Sequence, residues 1–178
     1  MKYLSLPLAA LSAALIMAPT AAFSETASVT IHAISPEGIG AEIGKATITD
    51  SDKGAVIAIE VKGLTAGEHG MHIHEKGSCD PGEKDGKMGA GLAAGGHFDP
   101  AKSGKHAGPE GHGHVGDLPK LVVDGDTGKA SLTAPNLKVA DVIGRALMIH
   151  AGGDNYTDEP ALGGGGARVA CGVINAAK

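Results

Sequence analysis

Gly70-Met71-His72-Ile73-His74-Glu75 is the stretch on which the reading of this chain turns. Residues i and i+2 of a β-strand project from the same face. A strand here therefore aims both imidazoles one way and turns Met71 and Ile73 into a core on the other side. Two imidazoles on one face can grip a single metal ion. A half-exposed strand can also carry two histidines with no chemical task, so the meaning of the pair depends on what surrounds it.

Working outward, the neighbouring segments show the same alternation. Residues 28–34 place Val29, Ile31 and Ala33 on one face, with His32 on the other. Residues 42–50 and 55–61 read as two strands joined through Asp50-Ser51-Asp52-Lys53-Gly54, a hairpin turn. Gly63 to Gly67 then turns the chain into the strand with the two histidines. Downstream, 118–123 and 129–133 flank Asp124-Gly125-Asp126-Thr127-Gly128, another hairpin turn. Residues 125–131 lack the spacing of a phosphate loop and sit between strands. A helical turn is expected over 136–143, a strand over 145–150 with Leu147 and Ile149 inward, and a last strand over 168–174. Eight strands with no helical period predict an all-β fold, an eight-stranded Greek-key β-sandwich or flattened barrel. Residues 76–116 carry no apolar period, and 152–166 form a second long loop. Structureless stretches of that length inside a domain are usually functional.

The first 24 residues read as an export signal: Lys2, a short apolar run broken by Pro7, and small residues before Glu25. The run is too short to span a bilayer. The domain is then 25–178, an exported protein with no membrane attachment in its mature form. Losing Lys2, the one charged residue of the leader, moves the formal net charge from −5 to −6. That acidic balance argues against nucleic acid as a partner and leaves a small anionic substrate open. Two cysteines in an exported chain read as one disulfide, with two buried thiols as the other reading. Closing so long a loop is worth up to roughly 4–5 kcal/mol in the chain-entropy model. The 29 glycines, scattered between alternating apolar runs, mean turns and close backbone approaches.

Nine histidines occur, most of them in or beside the long loops. A carboxylate among imidazoles suits zinc, and four imidazoles without one suit copper(II). Both inventories are present. The blocks Gly70–Glu75, Ala94-Gly95-Gly96-His97-Phe98-Asp99-Pro100, His106-Ala107-Gly108-Pro109, His114-Val115-Gly116-Asp117-Leu118, Gly144-Arg145-Ala146-Leu147-Met148-Ile149-His150 and Gly166-Ala167-Arg168-Val169-Ala170-Cys171-Gly172-Val173-Ile174 follow in order. Together they closely resemble the copper/zinc superoxide dismutases over the whole mature chain. The leader and Glu83-Lys84-Asp85-Gly86-Lys87 make it resemble the bacterial periplasmic branch.

The resemblance implies copper on His72, His74, His97 and His150. It implies zinc on His97, His106, His114 and Asp117, with His97 shared as the bridge and directly involved in catalysis. It implies a disulfide between Cys79 and Cys171, a carboxylate at Asp154 bonded to one ligand of each metal, and Arg168 as the catalytic cation that draws in superoxide. Lys87 matches a steering lysine less closely. His112 competes with His114 for zinc, and the three-residue step to Asp117 favours His114. His69, on the opposite strand parity from His72 and His74, is expected to pack structurally, and His32 to lie at the surface. Met71 departs from relatives that often carry an aromatic there. The activity implied is dismutation of superoxide, with a homodimer as the expected assembly. The alternative is a non-enzymatic periplasmic copper/zinc-binding protein, which would need neither Arg168 nor Asp154. A copper-only dismutase would lack the zinc set, and an immunoglobulin-like adhesion module would not need so many loop histidines.

Overall fold

The computed structural model describes residues 25–177, so the leader reading over 1–24 lies outside the described residues. Strands β1 (Thr26–Ser35), β2 (Gly38–Ser51), β3 (Gly54–Lys62), β4 (Gly67–His69), β5 (Met71–His74), β6 (Gly82–Lys84), β7 (Lys87–Gly89), β8 (Leu121–Asp124), β9 (Thr127–Ala134), β10 (Ala146–His150) and β11 (Arg168–Ala176) carry the fold. The one α-helix among the described residues is a single turn, α1 (Val139–Val142), inside the expected 136–143.

Nine strands form one sheet in the order β4-β8-β9-β3-β2-β1-β11-β10-β5. Its two end strands are consecutive in sequence, separated by Gly70 alone. The chain thus steps from one end of the sheet to the other in one residue, which rolls the sheet into a flattened barrel. Counting β4 and β5 as one strand split at that seam gives the expected eight. Gly70 is tightly surrounded: a Cβ there would lie 3.3 Å from Asp154 Cβ and 3.4 Å from the His72 ring. Its amide donates to Gly152 and its carbonyl accepts from His150, at 2.8 and 2.9 Å, so the seam is bonded to β10 and the loop that follows it.

The 76–116 region is less bare than its pattern suggested. It contains the hairpin β6–β7 and a 3-10 turn at Leu92–Ala94. Asp85 and Gly86 both take left-handed φ, 54° and 73°, as a tight Asp-Gly hairpin turn requires. The three-residue strands carry charged side chains and so show no apolar alternation.

Met71, Ile73, Leu118, Leu147 and Ile149 join the main core inside the barrel. On the outer face of β10 and β11, Ala146, Met148 and Cys171 pack with Ile34, Cys79 and Ala94 in a second cluster. The Cys79–Cys171 disulfide, spanning 92 residues, ties the long loop to this face. Strand β5 is buried on both sides: its odd residues fill the barrel and its even ones, the two histidines, face outward under the loops.

Candidate metal centre

The outer edge of β5 is completed by loop backbone. The amides of Ile73 and Leu118 donate to Gly116 and Met71, at 2.8 and 3.2 Å, and those of Phe98 and Glu75 donate to Ile73 and Gly96, at 2.8 and 3.0 Å. The resulting bridges set His72 beside Asp117 and His74 beside His97. On the other edge β10 runs antiparallel, with Met148 opposite His72 and Ala146 opposite His74. A register shift between Ile149 and His150 pairs His150 with Arg168. Bulges of this kind re-aim side chains beside functional sites.

His72, His74, His97 and His150 are all buried, and one nitrogen from each lies within 4.8 Å of the others. Distant acceptors determine which nitrogen that is. His74 Nδ1 contacts the Gly95 carbonyl at 2.9 Å and His150 Nδ1 the Gly166 carbonyl at 3.1 Å, while His72 Nε2 contacts Asp154 Oδ2 at 2.8 Å. A ring that donates from one nitrogen keeps its lone pair on the other. The nitrogens left over, His72 Nδ1, His74 Nε2, His97 Nε2 and His150 Nε2, are buried without hydrogen-bond partners. Buried polar atoms without partners are rare; four of them converging is what a metal cage looks like.

The second set centres on Asp117. Nδ1 of His97 and of His106 lie 3.0 Å from its Oδ1, and Nδ1 of His114 lies 3.3 Å from it. His106 Nδ1 approaches without hydrogen-bonding orientation and counts among the partnerless nitrogens. A tetrahedral zinc with bonds of about 2.0 Å sets its ligand atoms about 3.3 Å apart, and each of the three nitrogens stands at about that distance from the Asp117 oxygen. The donors on this side that all lie within 4.8 Å of one another are those of His72, His97, His106 and Asp117, and His114 is not among them. His72 Nε2 is held by Asp154, however, and its Nδ1 belongs with the first set. His97 is common to both sets, its ring stacked on His72 with centroids 3.8 Å apart.

Asp154 joins the two sets. Oδ2 accepts from His72 and Oδ1 from His106, both at 2.8 Å. Burial pushes the His72, His74 and His150 rings down to about 3, 2 and 4, so they stand neutral with lone pairs available. His97 is lowered for the same reason. Burial also opposes charge on His106, but the nearby carboxylates of Asp117 and Asp154 outweigh that and raise it to about 9. Burial alone would raise both carboxyls; the neighbouring His106 ring, then His97 beside Asp117 and His72 beside Asp154, hold them far below the usual carboxylate range.

Arg168 donates from Nη1 to Gly91 and from Nη2 to Gly95, at 2.6 and 2.7 Å. The Gly95 carbonyl is also the acceptor for His74. Lys87 is exposed on β7, paired in register with Lys84, and joins neither donor set. His112 is exposed while His114 is buried. His69 is buried between the carbonyls of Thr65 and His150, at 2.8 and 2.6 Å, apart from both sets. His32 is half-buried near the Gly40 carbonyl.

Three supports were not legible beforehand. The Tyr156 amide donates to Asp154 Oδ1 at 2.7 Å, and its hydroxyl accepts from the Lys120 amide at 3.0 Å. Asp158 accepts from the His106 amide at 3.1 Å. Gly163, at φ 75°, lies where any Cβ would overlap Asp154 Oδ1 and approach His106 Nε2 to 2.7 Å. The signal that could have pointed to Tyr156 is its rarity, one of two tyrosines in the sequence, two residues past Asp154.

A flattened Greek-key barrel with two fused donor sets on its outer face defines a binuclear metalloprotein. The profile of the family described as Copper/zinc superoxide dismutase (SODC) matches residues 42–174. The chain is 53% identical over 165 residues to Superoxide dismutase [Cu-Zn] of Escherichia coli strain K12, covering 90% of this chain and 94% of that one. It is 52% identical over 157 residues to the enzyme of the same name from Brucella abortus, covering 86% and 90%. The solved Cu/Zn superoxide dismutase of Brucella abortus superposes with a TM-score of 0.83 at 49% identity, over 85% of this chain and all of that one. A solution structure from Salmonella enterica, described as monomeric, gives 0.75 at 49% identity, over 84% and 99%. The chain belongs to the copper/zinc superoxide dismutase family, and its metals are copper and zinc.

Proposed function

We propose that this chain converts two superoxide anions and two protons to O2 and H2O2, with copper held by His72, His74, His97 and His150 and zinc by His97, His106, His114 and Asp117. Copper would supply the one-electron chemistry by cycling between two oxidation states, and zinc would be held by His97 together with His106, His114 and Asp117. The carrying observation is that His97 faces both donor sets, with Nδ1 beside Asp117 and a buried, partnerless Nε2 toward His72, His74 and His150. Whenever copper does not occupy it, His97 Nε2 can hold a proton and pass it to the reduced substrate, while Nδ1 stays beside Asp117. Two of the five guanidinium N–H groups of Arg168 are spent on carbonyls, which fixes the cation and leaves three donors for a small anion. Asp154 keeps the His72 and His106 rings in the tautomers that metal binding needs.

Metal content and superoxide consumption of the mature chain test this, in wild type, His97→Ala and Arg168→Ala. One copper and one zinc per chain are expected in wild type, with activity lost in His97→Ala. Arg168→Ala should keep both metals and lose activity most at low ionic strength, where steering is least screened. Full activity in His97→Ala would overturn the reading. A metal-loaded but inactive wild type would favour the non-enzymatic copper/zinc-binding protein.

The same reading places the enzyme in the periplasm after removal of 1–24, with Lys87 as an outlying steering charge. The disulfide suits an oxidising compartment, and N-terminal sequencing of the cellular protein should start near Glu25. A homodimer is part of the proposal, to be tested against the monomer described for the Salmonella enterica relative. A single species of monomer mass in sedimentation at micromolar concentration would refute it.

A further inference from the structure

Phe98 follows the shared histidine and is one of only two phenylalanines in the sequence. Its ring belongs to the main core and is 8% exposed. Over that ring lies the guanidinium of Arg145, its carbon 3.7 Å from the ring centroid. The same guanidinium donates from Nη1 to the carbonyl of Glu75 and from Nε to the carbonyl of Asp141, both at 2.7 Å. Arg145 therefore touches no donor nitrogen. It touches instead the residue that follows His74 and the residue that follows His97.

Those two residues end the short paired segment on the outer edge of β5. The Glu75 amide donates to Gly96 and the Phe98 amide to Ile73, so His74 and His97 stand side by side. Their ring centroids are 5.1 Å apart. Backbone hydrogen bonds set the register of that pairing, and a side chain that grips both segments stiffens it further. Arg145 adds such a restraint by holding the Glu75 carbonyl and the Phe98 ring at once. It is itself rooted in the barrel: its amide donates to Val142 at 3.0 Å, and its carbonyl accepts from Ile174 at 2.9 Å. It also directly precedes β10, the strand that ends in His150. A planar guanidinium can stack on a ring and donate in its own plane in two directions; an ammonium cannot.

We propose that Arg145 is a positioning residue that sets the spacing of His74 and His97 within the copper site, acting through the Glu75 carbonyl and the Phe98 ring. This rests on the assignment of those histidines to copper given above.

The test uses full-length mature protein loaded with both metals, in wild type, Arg145→Met, Arg145→Lys and His74→Ala. The Cu(II) electron paramagnetic resonance spectrum, copper release to a chelator, zinc content and the metal-free melting temperature are measured for each. Arg145→Met keeps apolar cover on Phe98 but loses both donors. It should release copper roughly tenfold faster, the scale seen when a ligand's outer partner is lost, with an altered copper hyperfine splitting and zinc retained. Arg145→Lys can reach one carbonyl and should fall between Met and wild type; it is read alone if Arg145→Met does not fold. Wild-type spectra and release in both Arg145 variants, alongside an altered His74→Ala, would overturn the positioning role and leave the ligand assignment standing. An unchanged spectrum in His74→Ala would overturn the assignment itself, and the inference with it. Loss of zinc in step with copper in the Arg145 variants would show general loosening and also overturn it.

Discussion

Asp154→Ala removes a carboxylate that contacts no ion and yet should weaken both metals. In the native fold its two oxygens accept from His72 Nε2 and His106 Nε2 at 2.8 Å, and neither ring nor carboxylate is exposed. Alanine leaves two buried N–H groups without acceptors. A charge-assisted bond of this kind contributes about 1.5–3 kcal/mol, and about 1.4 kcal/mol is a factor of ten in binding. Each ring's hold on its ion should therefore fall roughly 10- to 100-fold, the range typical for loss of such a partner. The route is specific: without Asp154 the proton on each ring is free to move from Nε2 to Nδ1, the nitrogen each ring offers to its metal. Chelator competition, run separately for copper and for zinc, reads the two affinities. The metal-free melting temperature, measured alongside, separates a binding effect from a folding one. Wild-type affinity for both ions in a folded Asp154→Ala protein would refute the reasoning.

Further expectations follow from the same geometry. Gly163→Ala places a Cβ onto Asp154 Oδ1 at a residue with φ 75°, so it should cost on the order of 1–3 kcal/mol and lower zinc content. Differential calorimetry and metal analysis would check both. Acid should destabilise the metal-free fold: the His72, His74 and His150 rings sit at about 3, 2 and 4 against an ordinary 6.5, so below pH 6.5 the unfolded chain binds more protons. The melting temperature should fall as pH drops from 6.5 toward 3. His106, raised to about 9, works the other way. Its contribution is complete below 6.5 and fades as pH rises through 9. The metal-loaded protein should show the acid loss at lower pH, because ions and protons compete for the same nitrogens. Joint replacement of Cys79 and Cys171 by serine opens a link spanning 92 residues, and denaturant unfolding should show a loss of about 2–5 kcal/mol.

Period-two alternation was enough to place every strand of the barrel, because a strand that slips by a single residue turns its apolar positions away from the core. The hairpin β6–β7 escaped that logic: its strands are short, charged and outside the barrel. The split at Gly70 escaped it too, since barrel closure is a relation between the sheet's two ends.

By itself, then, the sequence determined an all-β fold, sandwich or flattened barrel, the two-histidine strand and an inventory of imidazoles and carboxylates rich enough for two metals. Only the tertiary structure decided which nitrogen of each ring is free, because that depends on carbonyls and carboxylates brought in from far along the chain, such as Gly95 for His74, Gly166 for His150 and Asp154 for His72. It also separated buried His114 from exposed His112, two residues away. Strand identity is written in local periodicity, whereas a hydrogen-bond partner is a matter of where distant backbone happens to pass.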